Sequence, residues 1–259
     1  MIDIHTHILP GLDDGADSME MSLAMARTAA AEGITDIIAT PHHANGKYLN
    51  PGSDVRTAVW NFQSRLQLEG IPITVHPGQE IRVHDDLLDA AERGELLALA
   101  DSAYMLIELP SGEIPARFEE LLHELVVLGV KPIIAHPERN RAIREKPRLL
   151  GELVEQGALA QVTTHSLLGD FGDSVKKAAW TLCRMGYIQF VSSDAHHVER
   201  RNFSLKRAYE AITDQLGLEH RDYYLYNASA LLANRAISGK APRAKEHKFY
   251  LKFARMFQK

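Results

Sequence analysis

Apolar, β-branched runs alternate with amphipathic helical segments seven times along this chain, and that rhythm constrains the fold more than any other feature. The expected strands are 2–5, 34–40, 71–76, 104–109, 131–135, 158–163 and 187–193. Between them lie stretches of helical period, such as 115–128, where Phe118, Leu121, Leu122, Leu125 and Val126 form one stripe. A second helix is expected over 18–32, with Asp17 as N-cap and Glu20 three residues on. Glycines 33, 70, 129, 157 and 186 stand where helices should stop before the next strand. Strand–helix alternation without a Pro/Ser-rich linker implies a parallel sheet in one α/β domain. The 259 residues suit a βα barrel. A doubly wound open sheet is the alternative, but no Gly-x-Gly-x-x-Gly follows the first strand.

The bulk composition narrows the class further. A hydrophobic share of 45% beside a charged share of 24% describes an ordinary globular domain. No apolar run approaches the ~20 residues of a spanning helix, and no basic residue precedes Arg27, so no secretory signal is expected. The single cysteine, Cys183, precludes an intramolecular disulfide and suits a reducing cytoplasm. Net charge is −5, yet residues 240–259 alone carry +6, leaving −11 on the remainder. An acidic body argues against nucleic-acid binding. The basic tail interleaves Phe249, Tyr250, Phe253 and Phe257, as a membrane- or partner-contacting segment would. A terminal helix docked on the barrel with its lysines in water is the favoured reading.

The chemistry-bearing residues gather at strand ends. His5 and His7, in Ile-Asp-Ile-His-Thr-His, alternate as on a strand and project to one side. Asp13-Asp14 follow at once; Asp14 is the preferred ligand, with Asp13 supporting the loop. His42 follows the second strand in Thr-Pro-His-His, and Glu80 the third in Gly-Gln-Glu. Glu108 ends the fourth, His136 the fifth, and Asp194 and His196 the seventh. Parallel βα folds place their sites at the carboxyl ends of strands. Six of seven expected strands deliver a His, Asp or Glu there, which points to a multinuclear metal centre. Imidazole with carboxylate and no thiolate suits Mn²⁺, Fe or Zn²⁺. His43, His165 and His197 stand beside better candidates and are expected to face substrate or support ligands.

His-x-His, Asp-Asp-Gly, Thr-Pro-His-His, Gly-Gln-Glu, Ala-His-Pro-Glu-Arg and Ser-Asp-Ala-His together resemble the polymerase and histidinol phosphatase (PHP) superfamily. Within it, Ile-His-Thr-His-Ile-Leu-Pro-Gly-Leu-Asp-Asp-Gly and Gln161-Val162 with Ser166-Leu167-Leu168-Gly169 are similar to the bacterial metal-dependent tyrosine phosphatases of capsule and exopolysaccharide operons, the CpsB/CapC-like group. The resemblance runs from residue 1 to about 236; His165 and the doubled His196-His197 depart from its pattern. It implies a distorted TIM-like (β/α)7 barrel over 1–239, with 240–259 as a tail. It also implies three divalent ions, manganese first. His5, His7, Glu80 and Asp194 would hold one ion. Glu80, Glu108 and His136 would hold a second, with Glu80 bridging, and Asp14, His42 and His196 the third.

The implied reaction is hydrolysis of phosphotyrosine on a protein, in particular an autophosphorylating tyrosine kinase of polysaccharide export. Arg139 and Arg201 would grip phosphoryl oxygens; the family pattern selects Arg201 over Arg200. His43 is the candidate proton donor. A small-molecule phosphatase of the histidinol-phosphatase kind or a nuclease-like phosphoesterase is the alternative, and a non-catalytic phosphotyrosine-binding module is a third reading. The cysteine-based mechanism is excluded, because Cys-x5-Arg counted from Cys183 reaches Gln189.

Overall fold

The strands form where β-branched residues cluster, and all pair in parallel. In the computed structural model, which describes residues 1–237 and 241–242, β1 (Ile2–Thr6) leads into α1 (Met19–Glu32) and β2 (Asp36–Ala39). Then come β3 (His42–His43), α2 (Gly52–Leu68), β4 (Thr74–Pro77), β5 (Glu80–Arg82) and α3 (Leu87–Glu92). β6 (Tyr104–Glu108), α4 (Phe118–Val127) and β7 (Lys131–Ala135) follow, then the short α5 (Arg141–Glu145) and α6 (Arg148–Glu155). β8 (Leu159–Thr163), α7 (Thr164–Leu168), α8 (Asp173–Arg184), β9 (Phe190–Ser192), α9 (Leu205–Leu216) and α10 (Leu218–Leu232) complete the order. The tail expected over 240–259 lies largely outside the described residues.

The seven expected strands become seven staves, two of them broken. One sheet runs β1-β2-β4 and the other β3-β5-β6-β7-β8-β9. The second stave breaks between β2 and β3 at Thr40-Pro41, where proline offers no N–H to the ladder. The third breaks at Gly78-Gln79. A Cβ at Gly78 would stand 2.9 Å from the Ile38 and Leu99 side chains, which would have to shift. Beyond each break the chain re-pairs, His42 with Glu80 in register. The circle closes between β9 and β1. Thr6 bridges Ala195, Asp194 N–H donates to the His5 carbonyl, and His7 N–H donates to that of Ala195. Asp3 reinforces this seam by accepting from the Ser192 hydroxyl and Ser193 N–H. The result is a distorted parallel (β/α)7 barrel.

Both faces of the staves are buried, as parallel sheets require. Ile4, Ile38, Leu106, Ile133 and Phe190 fill the interior together with Ala228 and Leu231 of α10. Their alternates, among them Ile37, Ile134, Val162 and Val191, pack on the surrounding helices. The helix-ending glycines behave as expected: Gly33, Gly70, Gly129, Gly157 and Gly186 all take positive φ. Two local expectations are corrected. Ser18, not Asp17, caps α1, because Ser18 is extended and its hydroxyl accepts from Met21 N–H. In α4, Val126 leaves the buried stripe and is 40% exposed. Among the described residues no helix is long and apolar enough to cross a membrane.

Candidate metal centre

The carboxyl ends of the staves converge on one group of imidazoles and carboxylates. β1 carries His5 inward and its continuation carries His7; both are buried. Nε2 of His5 and Nε2 of His7 lie 3.2 Å apart. Each stands 3.3 Å from Glu80 Oε2, and they are 3.4 and 3.2 Å from Asp194 Oδ1. Four ligand atoms at about 2.0–2.1 Å around a tetrahedral ion would be about 3.3–3.4 Å apart. The five measured edges fit that figure. Glu80 Oε1 turns the other way and accepts from His136 Nε2 at 2.7 Å, so the two oxygens of one carboxylate face separate groups. Asp14 Oδ1 stands 3.5 Å from Nε2 of both His42 and His196. His42 also reaches Glu80 Oε2 at 2.9 Å and Glu108 Oε2 at 4.0 Å.

Orphaned atoms support a fit to cations. Glu80 Oε2, Glu108 Oε2, Asp194 Oδ1, His42 Nδ1 and His196 Nε2 are buried without a hydrogen bond. Such atoms are costly unless something else satisfies them. The opposite ring nitrogens are accounted for. His5 Nδ1 donates to Gln161 Oε1 at 3.1 Å, His7 Nδ1 to Asp13 Oδ2 at 2.6 Å and His196 Nδ1 to the Asp194 carbonyl at 2.9 Å. These bonds leave the Nε2 lone pairs aimed at the cluster, the usual arrangement around a metal-binding histidine.

Electrostatics follow from packing so many charges out of water. Burial alone would raise the Glu80 carboxyl, but His5, His42 and His136 hold it well below the usual carboxylate range. Burial likewise opposes ionisation of Asp194, and Arg139, His5 and Arg201 overcome it. His196 is pushed down to about 4 by burial and by His7, so its imidazole is neutral. Backbone strain is concentrated here too: His136 (φ 32), Asp194 (φ 56) and Arg201 (φ 43) are all left-handed.

Most expected site residues therefore meet. A cleft of about 170 Å³ is lined by His42, Glu80, Glu108, His136, Arg139, Asp194 and Arg201, with Ser111 and Asn140. Both guanidinium groups rest 2.6 Å from Asp194 Oδ2, and each keeps a buried Nε–H unpartnered. Arg200 is exposed. His43 is the exception. Strand alternation turns it away from His42, and its Nδ1 lies 2.8 Å from the Asn50 carbonyl. It is buried and stands apart from the cleft lining. His197 is half-buried at the rim.

Two supporting residues, Gln161 and Glu138, had no role assigned from the sequence, and a third, Asp13, had a smaller one. Asp13 does more than support a loop: it anchors His7 and accepts from the N–H groups of Gly15 and His42. Gln161 orients His5. Glu138, fully buried, accepts from Thr163 N–H and Oγ1, and Thr163 Oγ1 in turn accepts from Arg139 at 3.0 Å. Only the quoted motif wording hinted at Gln161 and Glu138. Gly15 lets the Asp13-Asp14 loop cross His7, for a Cβ there would collide with the His7 carbonyl and Cβ. Gly15→Ala should displace that loop and cost about 10- to 100-fold in activity, as loss of metal-site support does. Unchanged turnover in a steady-state assay would show that the loop is not needed.

Comparison with known proteins gives one consistent grouping. A sequence model described as "Capsular polysaccharide synthesis, CpsB/CapC" matches residues 1–233. The tyrosine-protein phosphatase YwqE of Bacillus subtilis is 45% identical over 243 residues, covering 94% of this chain and 96% of the relative. The tyrosine-protein phosphatase CpsB of Streptococcus pneumoniae is 26% identical over 243 residues, covering 92% of this chain and 100% of the relative. A solved structure from a study of YwqE and CpsB, described there as unique metal-dependent tyrosine phosphatases, superposes with a TM-score of 0.90 at 45% identity. It covers 93% of this chain and 99% of that one. A mutant organophosphorus hydrolase, 13% identical with a TM-score of 0.55, shares the fold alone. With most of its length matched and a 45%-identical relative covered almost end to end, this chain belongs to the CpsB/CapC family of capsular polysaccharide synthesis proteins.

Proposed function

We propose that this chain is a metal-dependent phosphatase that hydrolyses phosphotyrosine on proteins, with an autophosphorylating tyrosine kinase of polysaccharide export as its cytoplasmic substrate. The observation that carries this reading is Glu80. One of its oxygens faces the imidazoles of His5, His7 and His42 and the other faces His136, beside two arginines with free N–H donors. The names of the relatives, tyrosine-protein phosphatases, support the substrate class. His5, His7, Glu80 and Asp194 would hold one divalent ion, Glu80, Glu108 and His136 a second, and Asp14, His42 and His196 a third. Manganese is the first choice, ahead of iron and zinc. When bound, such ions supply a nucleophilic water at neutral pH and neutralise phosphoryl oxygens.

The chain's own residues do the rest. Arg139 is held rigidly between Asp194 and Thr163 and offers the planar fork that a phosphoryl group accepts. Arg201 offers a second fork from the opposite loop. As the water oxygen bonds to phosphorus and gives up a proton, the bond from phosphorus to the phenolic oxygen breaks, its electron pair leaves on that oxygen, and the phenolate takes up a proton from solvent. A phenol has a pKa near ~10, so the leaving group needs no dedicated acid, in keeping with His43 turned away.

Steady-state rates with Mn²⁺ on a phosphotyrosine peptide, histidinol phosphate and a dinucleotide test this reading. The peptide should be preferred by a wide margin; a preference for histidinol phosphate would replace the proposal with a small-molecule phosphatase. Cys183 should be dispensable. It is buried in α8, and burial pushes its thiol up to about 12, so it is neither thiolate nor accessible. Cys183→Ser should keep most of the activity, and a trapped phosphocysteine would overturn the metal mechanism.

A further inference from the structure

We propose that Phe171 forms one wall of a subsite for the aromatic leaving group, and so sets the preference for aryl over alkyl phosphate esters. The inference rests on the phosphotyrosine reading above and names the residue that would recognise the ring. Phe171 lies in the turn between α7 and α8, flanked by Gly169 (φ 104) and Gly172 (φ 88). These left-handed glycines reverse the chain at the carboxyl end of β8, on the face where the cleft opens. The Phe171 ring is 36% exposed, unlike the buried phenylalanines of the core. It does not float in solvent: the Arg139 guanidinium carbon lies 4.3 Å from its centroid.

A second contact fixes the ring. His165, in the first turn of α7, meets Phe171 edge-on with centroids 6.0 Å apart and planes at 62°. His165 is almost fully buried, and neither ring nitrogen has a hydrogen bond. Burial also lowers its pKa, so it packs beside Phe171 as a neutral ring. Arg139, a residue of the cleft wall whose terminal nitrogens meet Asp194 and Thr163, thus carries an aromatic plane over its guanidinium. A single ester oxygen separates phosphorus from the ring of phosphotyrosine. With its phosphoryl oxygens on Arg139, such a substrate would set its ring against Phe171, which packs on the same guanidinium. Offset or edge-to-face pairing is the arrangement such rings prefer. An alkyl phosphate offers nothing to this wall.

Competitive inhibition of the Mn²⁺-loaded full chain tests the subsite with probes that share one head group. Phe171→Ala should raise the inhibition constant of phenylphosphonate about tenfold, the size an aromatic face contact supplies. The constants for methylphosphonate and inorganic phosphate should stay where they are. Phe171→Leu, which retains apolar volume without a ring face, should lie between Ala and wild type, and Phe171→Tyr should restore tight binding. A parallel rise for all three inhibitors would mean that Phe171 merely positions Arg139, and no change for any would remove the subsite; either result overturns the proposal. Wild-type turnover of the phosphotyrosine peptide, read in the same series, reports separately on the function itself.

Discussion

Glu80→Gln should abolish hydrolysis while leaving the barrel folded. The substitution preserves volume and removes one negative charge from a carboxylate that is wholly buried and faced by His5, His7, His42 and His136. Outer residues around metal sites cost 10- to 100-fold when altered, so a shared ligand should cost more than about 100-fold. Metal analysis of purified protein should show a lower content per chain, because both oxygens of Glu80 would serve the proposed ions. Chelator should inactivate the wild type and Mn²⁺ should restore it, whereas Glu80→Gln should respond to neither. Circular dichroism checks the fold. A variant that retains full metal content and wild-type rates would sink the reading, as would wild-type activity surviving exhaustive chelation.

Arg139 and Arg201 are expected to give the next largest effect. Arg139→Lys keeps the charge but loses the two-pronged donor, so it should still slow turnover. Electrostatic stabilisers used mainly in the transition state contribute on the order of 2–4 kcal/mol, or about 30- to 1000-fold, and their loss lowers kcat as well as kcat/KM. Both guanidinium groups also rest on Asp194 Oδ2, which gives the experiment a second readout. Asp194 reaches His5 and His7 through its other oxygen, so metal content should hold at the wild-type level. Metal loss in step with activity would mean that the arginines act through Asp194 and not on the phosphoryl group.

Strand and helix positions were legible in the sequence because they depend on neighbours a few residues apart. The apolar run Ile37-Ile38-Ala39, the stripe of α4 and the glycines that stop five helices are local signals, and each of the seven expected segments carries a strand, though the third and seventh begin three residues late. The ligand-type residues were legible for a related reason. Parallel βα topology exposes carboxyl ends of strands at one face, so a His or Glu ending a strand has little choice of surroundings. Cys183 was legible as core from its helix stripe.

Other features depend on contacts between distant parts of the chain. The breaks at Pro41 and Gly78 transfer the ends of two staves to a different sheet, which is how His42 comes to pair with Glu80. The seam uses Asp3 against Ser192 and Ser193, 189 and 190 residues away. No periodicity marks Gln161 as the partner of His5 across 156 residues, or Glu138 and Thr163 as the brace behind Arg139. His43 looked like a cleft residue because it adjoins His42, and the pleat turned it into buried contacts with Asn50 and Gln79. Residue order is enough to place these groups at strand ends and to say what chemistry they bring. Which of their nitrogens and oxygens face one another is a property of the folded barrel, because it depends on closure and on partners far along the chain.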